Sequence, residues 1–317
     1  MQNSKKTVLI TGAGGFVGGH IAKLFDNNGW KVTAIVHKNI PKELYQLPNT
    51  KLLQCDITKP YEISALPKTD ILVHSAGLVS DIGCDELFKK LNFETVKNLA
   101  PLAKSKFIYI STTDVYGIKD FNGEDESALH FEQKIINPYQ KYKIQSEKWI
   151  KNNLPSNKYV ILRPGAIYGE GDETLESRFT DFLDHSPFII HFGKWRGKNR
   201  WPLTNVENVA KAAYYTSLSD DFNGEAITII DENKISIDDF YQIIAKKHFP
   251  DKRYKTICLP LWSGLTIGSL STFLSNLLRL KKPIFDPTAY AIKHISSNLD
   301  FSCNRLKTLF EKAQNKN

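Results

Sequence analysis

The sequence predicts an α/β protein built on a doubly wound parallel sheet, followed by a smaller C-terminal lobe. Short apolar runs rich in β-branched residues alternate with segments of helical spacing through the first two thirds of the chain. Continuously apolar strands that alternate with helices are typical of a parallel sheet covered on both faces. The predicted strands are residues 7–11, 31–36, 51–55, 70–74, 106–111 and 159–163.

Helices are predicted where apolar residues recur three or four positions apart. One set is Ile21, Leu24 and Phe25, and residues 205–218 form another helical segment. The alternation of strands and helices loosens after about residue 170. We therefore assign residues 1–170 to a first domain and residues 171–317 mainly to a second lobe, with segments that return to the first. A further helical set consists of Leu87, Phe88, Leu91, Val96 and Leu99.

The composition is that of an ordinary globular protein, with 41% hydrophobic and 24% charged residues in 317. The N-terminus lacks the apolar region and cleavage site of a secretory signal. Widely separated cysteines are typical of a reducing compartment and predict neither a disulfide framework nor a metal site. We expect a cytoplasmic protein without metal; the cysteines are Cys55, Cys84, Cys258 and Cys303.

The formal net charge is +8 at pH 7, and the lysines are spread along the whole chain. A net positive charge attracts anionic ligands such as phosphorylated cofactors or nucleotide-linked substrates. Nucleic-acid binding is not expected, because the basic residues do not cluster.

A glycine-rich segment, TGAGGFVGGH, follows the first predicted strand and opens the first predicted helix. Gly12, Gly15 and Gly18 have G-x-x-G-x-x-G spacing. One glycine permits the tight turn, the next lets the backbone approach a pyrophosphate, and the last lets the helix pack on the strand. The phosphates then bind at the positive end of the helix. In this context the segment predicts a dinucleotide site on a Rossmann-type sheet.

The end of the second strand bears on the choice of cofactor. His37 and Lys38 stand where an acidic residue would accept the adenosine ribose hydroxyls of NAD. We therefore favour NADP over NAD, although both side chains also suit a solvated strand end. Asp56, after the third strand, is placed either to accept the adenine amino group or to form a simple turn.

The segment NPYQKYKIQSE, residues 137–147, contains a Tyr-x-x-x-Lys pair. Tyr139 and Lys143 share one face of a helix. A nearby ammonium lowers the pKa of a phenol from about 10 toward neutral, which makes it a better acid/base. The pair alone also fits the polar start of a surface helix.

A stretch without charge, residues 257–278, is long enough for a membrane span, but Pro260, two glycines and several hydroxyl side chains dilute it. We favour a packed helix or a substrate lid over contact with a membrane surface. The apolar stripe of a one-sided helix is Leu270, Phe273, Leu274, Leu277 and Leu278.

Five motifs in order resemble the extended short-chain dehydrogenase/reductase family, nearest its NAD-dependent epimerase/dehydratase group. They are TGAGGFVGGH, HSAG (74–77), ISTTDVYG (110–117), YQKYK (139–143) and LRPGAIYG (162–169). The resemblance covers residues 7 to about 215. The C-terminal region looks more like the dihydroflavonol reductase and 3β-hydroxysteroid dehydrogenase branch.

The resemblance implies roles for individual residues. Tyr139 is the expected acid/base, Lys143 its cationic partner, and Thr112 the hydroxyl that binds the substrate oxygen, with Ser111 and Thr113 as alternatives. The other residues expected near the cofactor are Phe16, Val17, Ile57, His74, Ala76, Gly77, Asn92 and Pro164, besides the glycines, His37, Lys38 and Asp56. The residues expected near the substrate are Val79, Ser80, Thr113, Asp114 and Arg200.

Three functions remain open from the sequence. The first is a nucleotide-sugar 4-epimerase or 4-ketoreductase, favoured by the basic loop 194–200. The second is an NADPH-dependent reductase or 3β-hydroxy dehydrogenase of an apolar substrate, favoured by His37, Lys38 and the uncharged helix. The third is an NADP-sensing module without turnover. A 4,6-dehydratase is disfavoured, since Thr113–Asp114 stands where those enzymes carry Asp-Glu. Family members are often dimers, here through residues 84–104 and 138–153.

Overall fold

The structure is a computed structural model that describes residues 5–38, 40–128, 130–132, 134–280 and 282–315. Within these residues the chain forms thirteen strands: β1 (Thr7–Thr11), β2 (Lys31–Val36), β3 (Thr50–Gln54), β4 (Thr69–His74), β5 (Ala103–Ile110), β6 (Phe121–Glu124), β7 (Tyr159–Pro164), β8 (Ala166–Tyr168), β9 (Phe188–Phe192), β10 (Leu203–Asn205), β11 (Ala226–Ile229), β12 (Lys255–Leu259) and β13 (Leu299–Phe301).

The described part of the chain also forms eleven α-helices: α1 (Phe16–Asn27), α2 (Pro60–Ser64), α3 (Asp85–Phe88), α4 (Thr95–Leu99), α5 (Pro138–Asn153), α6 (Leu175–His185), α7 (Val206–Leu218), α8 (Ile237–His248), α9 (Leu261–Leu277), α10 (Ala289–Ser296) and α11 (Asn304–Gln314). A π-helical turn, Lys89–Glu94, joins α3 to α4.

The central sheet has the strand order β11-β7-β5-β4-β1-β2-β3, and every neighbouring pair is parallel. The doubly wound parallel sheet is therefore confirmed, and all six predicted strands belong to it. Because the chain reverses its direction across the sheet between β1 and β4, a crevice opens at their carboxyl ends. β11 comes from the C-terminal part of the chain and extends the sheet beyond β7.

Helices cover both faces of the sheet because successive strand residues point to opposite sides. Val8 and Ile10 belong to one core cluster with residues of α1, α7 and α11. Leu9 belongs to the other, with residues of α4 and α5. Hydrophobic strand residues are therefore buried on both faces of the sheet, which accounts for the continuously apolar strands in the sequence.

A separate core cluster joins side chains of the C-terminal part of the chain to Val115, Tyr116, Phe121 and Ile144. Three two-stranded parallel ladders, β8–β10, β9–β12 and β6–β13, frame it among the described residues. Aromatic side chains of α6 and α8 pack around Trp201, for example Phe179 at 5.5 Å and Phe240 at 5.4 Å between ring centroids. This lobe lies beside the carboxyl end of the sheet through β8, which follows β7 directly.

Helix α9 has the opposite orientation to the one that its apolar stripe predicted. Its buried residues are Gly264, Gly268, Ser271 and Ser275. The stripe residues Leu270, Phe273, Leu277 and Leu278 are exposed instead, and Leu274 is half-buried. The stripe does not pack into the core, because the small residues on the other side allow a closer approach to the protein. Among the described residues, no helix has both the length and the hydropathy needed to cross a bilayer.

Candidate active site

The glycine loop lies at the crevice between β1 and β4, and two of its glycines are sterically required. Gly12 has φ of +71°, and a Cβ there would lie 2.8 Å from the Ala76 backbone. A Cβ on Gly18 would lie 2.2 Å from the Gly12 carbonyl oxygen. These close contacts join the loop, α1 and the end of β4, as the spacing predicted.

Gly15 differs from the other two glycines because a Cβ there meets nothing closer than 3.4 Å. Gly15 is the N-cap of α1, whose first turn carries neither a side-chain cap nor an acidic residue. The amides of Phe16 and Val17 in that first turn are thus available to a phosphate. This is the arrangement that a dinucleotide pyrophosphate requires.

A cleft of about 290 Å³ extends from the loop along the ends of β1, β2 and β4. It is lined by Gly12, Gly14, Gly15, Ile35, Val36, His37, Lys38, Cys55, Ile57 and Ala76. His37 and Lys38 are exposed there, and no acidic side chain is among the lining residues. The cleft has the size and composition for the adenosine half of the cofactor.

Asp56 is held in a local turn beside this cleft. Its Oδ1 accepts hydrogen bonds from the Thr58 hydroxyl at 2.7 Å and the Thr58 amide at 3.0 Å. The hydrogen bonds from Thr58 lower the pKa of the Asp56 carboxyl. Its contacts therefore match the turn alternative; Ile57 is the neighbour that lines the cleft.

His74 lies behind the cofactor cleft and does not line it. Its ring is fully buried between β1 and α4, where Nδ1 is 2.7 Å from the Thr11 hydroxyl and Nε2 is 3.3 Å from that of Thr95. The Thr95 hydroxyl donates to the Leu91 carbonyl, so it accepts from Nε2, and Nδ1 accepts from Thr11. Burial, with a smaller contribution from Lys143, lowers the pKa of His74 to about 3.

The loop after β4 is fixed by Asn92. The Asn92 side chain accepts from the Leu78 amide at 2.7 Å and donates to the Leu78 carbonyl at 2.9 Å. Its own carbonyl accepts from Ser146 on α5 at 2.6 Å. Asn92 thus positions the loop that carries Gly77 relative to α5, whose Lys143 Nζ lies 3.8 Å from where a Gly77 Cβ would be.

Helix α5 presents Tyr139 and Lys143 to the same site. Asn137 caps the helix by accepting from the Gln140 amide at 2.9 Å, and Pro138 starts it. Tyr139 and Lys143 are both buried, and the Lys143 Nζ lies 5.9 Å from the centre of the Tyr139 ring. The Tyr142 hydroxyl turns away to Asp85.

The electrostatics of this pair differ from the expectation that Lys143 lowers the pKa of Tyr139. Burial raises the pKa of Tyr139, the Asp114 carboxylate raises it further, and a hydrogen bond with Thr112 lowers it. The Lys143 ammonium instead donates to the Ile110 carbonyl at 2.7 Å. Burial lowers the pKa of Lys143 itself to about 8.

The segment after β5 distinguishes two of the three candidate hydroxyl residues, Thr112 and Ser111. Thr112 caps the turn Thr113–Tyr116 and accepts from the Asp114 amide at 3.2 Å. Ser111 donates to the buried carboxylate of Glu147, which pairs with Arg163. Because that hydroxyl is engaged in the core, Thr112 is the stronger candidate for the substrate oxygen.

Asp114 anchors a cluster that the sequence analysis missed. Its carboxylate accepts from the Tyr290 hydroxyl and from His294 Nε2 at 3.0 Å. Trp201 Nε1 donates to His294 Nδ1 at 3.3 Å, which leaves Nε2 as the donor to Asp114. Burial raises the pKa of Asp114, but His294 and Tyr290 outweigh it and hold the pKa below its ordinary value.

A second polar cluster joins the loop after β4 to the lobe. Arg178 donates to Asp81 at 2.9 Å and to Asp286 at 2.6 Å, and Thr288 donates to Asp81 at 2.6 Å. Asn276 of α9 also accepts from the Gly83 amide at 3.2 Å. These contacts hold α9 and α10 over the end of the sheet where Tyr139 lies.

The other residues predicted near the cofactor or the substrate lie in three different regions of the structure. Val79 is exposed and Ser80 accepts from the Ile82 amide at 3.3 Å, both in the loop after β4. Pro164 is buried at the end of β7, in register with Ile229. Arg200 is exposed, and its Nη1 donates to the Lys234 carbonyl at 2.6 Å. None of the described residues form a cluster suited to a metal ion.

Residues 8–229 match the model of the NAD dependent epimerase/dehydratase family. The chain therefore belongs to that family, and it is an enzyme with the family's Rossmann-like α/β fold. A solved structure with a similar fold is the WbmH enzyme of Bordetella bronchiseptica in complex with NAD+. The TM-score is 0.68 at 20% identity, and the match covers 80% of this chain and 86% of that one.

Three curated relatives act, by their names, on a sterol, a ceramide and a nucleotide sugar. Sterol-4-alpha-carboxylate 3-dehydrogenase (decarboxylating) of Candida albicans is 26% identical, over 90% of this chain and 87% of its own length. Ceramide reductase of Caulobacter vibrioides is 26% identical over 55% of this chain and half of its own length. UDP-N-acetyl-alpha-D-glucosaminuronate decarboxylase of Bacillus cytotoxicus is 26% identical over 76% of this chain and 79% of its own length.

Proposed function

We propose that the protein is an NADP-dependent oxidoreductase that interconverts a ketone and an alcohol on an apolar, lipid-like substrate. The choice of substrate rests on Arg178, which is already paired with two carboxylates of the protein, Asp81 and Asp286. Arg200 is exposed and donates one hydrogen bond to the Lys234 carbonyl. A nucleotide sugar brings a diphosphate that needs free cations.

The basic loop 194–200, which in the sequence favoured a nucleotide sugar, also supports an apolar substrate in the structure. Lys194 pairs with Asp120 at 2.6 Å, and Trp195 donates to the same carboxylate at 2.8 Å. The loop charge is thus partly neutralised by the protein. The relative from Candida albicans, which is matched over nearly the whole chain, acts by its name on a sterol.

The residues of α5 and the β5 loop suffice for the proton part of the reaction. In the reducing direction, Tyr139 gives its phenolic proton to the carbonyl oxygen, which Thr112 also binds, and the product is an alcohol. A bound nicotinamide supplies the hydride, which no side chain can provide. The raised pKa of Tyr139 keeps it protonated and suits an acid in reduction. Lys143 lies on the same face of α5, and burial lowers its pKa to about 8.

NADP is the proposed cofactor because His37 and Lys38 are exposed at the cleft, where a 2′-phosphate would lie. The fit of the glycine loop and the absence of an acid among the lining residues support it. The test is to denature the purified protein, identify any released nucleotide, and then measure Kd for NADPH and NADH. An empty site with tighter NADPH binding supports the proposal, whereas tightly retained NAD(H) contradicts it.

The substrate is tested by following NADPH oxidation with two panels. One contains apolar ketones such as 3-oxosteroids and long-chain 3-oxo acids, and the other contains UDP-linked 4-keto sugars. We expect kcat/KM to be at least ~100-fold higher with the best apolar ketone, since a desolvated diphosphate without a cation is strongly disfavoured. Turnover of the nucleotide sugars alone would refute the choice of substrate.

A nucleotide-sugar 4-epimerase or 4-ketoreductase is the second candidate. The similarity to the glucosaminuronate decarboxylase of Bacillus cytotoxicus and the net charge of +8 favour it. A homodimer through α5 and the segment of α3 and α4 also stays a prediction, and light scattering of the purified protein tests it.

A further inference from the structure

Helix α9 exposes a continuous apolar surface. Trp262 is 70% exposed, Phe273 63% and Leu277 65%. At about 100° per residue, these three and Leu270 fall on one side of the helix. The exposed surface continues at both ends, through Leu259, Leu261, Leu278, Leu280, Ile284 and Phe285.

The inner side of α9 explains why this orientation is fixed. A Cβ on Gly264 would lie 2.6 Å from the Phe192 ring, and one on Gly268 would lie 2.6 Å from the Ala289 amide nitrogen. Ser271 donates to the Phe285 carbonyl, and Ser275 accepts from the Ile284 amide at 2.9 Å. Rotating the helix would force larger side chains into these contacts, so the apolar side faces outward.

The charges that flank α9 along the chain are all of one sign. Between Asp251 and Asp286 the chain contains no acidic residue. Arg253 and Lys255 are exposed before the helix, and Arg279 and Lys282 are exposed after it. The basic residues of the segment are Lys252, Arg253, Lys255, Arg279, Lys281 and Lys282.

We propose that α9 and its flanks, residues 252–285, dock the protein on an anionic lipid bilayer, with the outer side of α9 in the interface. An apolar face with an aromatic residue and basic flanks suits the boundary between acyl chains and anionic headgroups. Helix α9 has 17 residues and is about 26 Å long, which is too short to span the hydrocarbon core of a bilayer. In this proposal the helix lies along the membrane surface.

The same charges disfavour a second copy of the chain as the occupant. If two α9 helices paired across a two-fold axis, the basic residues at one end of each would face the basic residues of the other copy. Repulsion of like charges would oppose that contact, whereas an anionic surface attracts all of them. Docking through α9 involves this surface and none of the reacting groups, so it is independent of which substrate the protein uses.

The test is flotation of the full-length protein with vesicles of phosphatidylcholine alone and of phosphatidylcholine mixed with phosphatidylglycerol. We expect binding to the mixed vesicles that weakens as salt is added. The triple variant Leu270→Ser/Phe273→Ser/Leu277→Ser should lower the partition coefficient at least ~10-fold. The control variant Tyr45→Ser/Leu218→Ser/Ile243→Ser removes exposed apolar side chains elsewhere and should bind like the parent.

Two further measurements separate the contribution of the basic residues from that of the apolar side of α9. Arg279→Gln/Lys282→Gln should lose binding to the mixed vesicles, whereas Lys23→Gln/Lys246→Gln should not. Trp262 is the only exposed tryptophan of the five, so its fluorescence should shift to the blue on binding, and Trp262→Phe should abolish the shift. Absence of binding to the mixed vesicles overturns the proposal. A dimer that the triple variant converts to a monomer, without any vesicle binding by the parent, also overturns it.

Discussion

The candidate active site has two sides: a cofactor wall, formed by the glycine loop and the start of α1, and a substrate wall, formed by Asp114 and α10. The two walls differ in how far apart along the chain their contacting residues lie. On the cofactor wall, Gly12, Gly15 and Gly18 lie within seven residues of one another, in the loop after β1 and the first turn of α1, and Gly15 and Gly18 both approach the Gly12 carbonyl. On the substrate wall, Asp114 binds Tyr290 and His294, which are 176 and 180 positions away. The conformation of the cofactor wall is set by contacts between backbone atoms. The conformation of the substrate wall depends on side-chain contacts between Asp114 and the C-terminal part of the chain.

Because of this contrast, we expect the substrate wall to tolerate sequence changes better than the cofactor wall. A helix such as α10 can change its side chains without disturbing the glycine loop, because its contacts with the site are made by side chains alone. Relatives of similar overall identity act, by their names, on sterols, a ceramide and a nucleotide sugar. Substitutions on each wall in turn test whether cofactor binding and turnover can be changed independently of each other.

The largest effect is expected where the walls meet, at Tyr139. Tyr139→Phe should lower kcat by ~10³-fold, because the substrate oxygen loses its acid/base, while the Kd of NADPH changes little. Tyr142→Phe, which removes only the hydroxyl bound to Asp85, is the matched control. Both are checked by steady-state kinetics and by titration of cofactor fluorescence. Undiminished turnover of Tyr139→Phe would refute the assignment of the acid/base.

On the cofactor wall, Gly18→Ala and Gly15→Ala should have different consequences. The methyl group that Gly18→Ala adds would clash with the Gly12 carbonyl, so the free energy of unfolding should fall by ~3 kcal/mol. Gly15→Ala has room within the protein and should unfold like the parent, yet raise the Kd of NADPH at least ~10-fold by blocking the phosphate.

Urea unfolding and cofactor titration distinguish these two variants. Gly19→Ala, where a Cβ meets nothing closer than 3.4 Å, is the control for adding a methyl group in the same helix. Equal cofactor affinity of Gly15→Ala and the parent would show that phosphates do not approach at that residue.

Beneath the cofactor wall, His74 should make stability depend on pH. Its pKa is lowered from 6.5 to about 3 in the folded protein, so below pH 6.5 the unfolded chain gains a proton that the folded one does not. This contribution should lower the free energy of unfolding by about 2 kcal/mol between pH 7 and pH 5. The loss should be smaller in His74→Gln than in the exposed-histidine control His185→Gln. The free energy of unfolding of both variants is measured by urea unfolding at pH 7 and pH 5. An equal loss in the two variants would contradict the burial of a neutral His74.

The cofactor wall could be predicted from the sequence far better than the substrate wall, for physical reasons. Glycine spacing and strand periodicity report local backbone geometry, and the six strands and the crevice followed from them. The partners of Asp114 could not be found this way, because no local pattern links Tyr290 and His294 to it. The outward stripe of α9 was misjudged because periodicity reveals that a helix is one-sided but not which side is covered. Gly264 and Gly268, at the spacing of close helix contact, were the signal available.

The smallest effect is expected on the substrate wall, at Tyr290. Tyr290→Phe keeps the ring but removes the hydroxyl that donates to Asp114, so the pKa of Asp114 should rise. Because Asp114 raises the pKa of Tyr139 through its charge, we expect the acid limb of the pH profile of kcat to move to higher pH, while kcat at neutral pH changes less than ~2-fold. Tyr254→Phe, whose hydroxyl donates to Leu183 within the lobe, is the control. A purely structural role for Tyr290 would lower stability and leave the pH profile in place, whereas a shifted profile at unchanged stability would show that α10 acts on Tyr139 through Asp114.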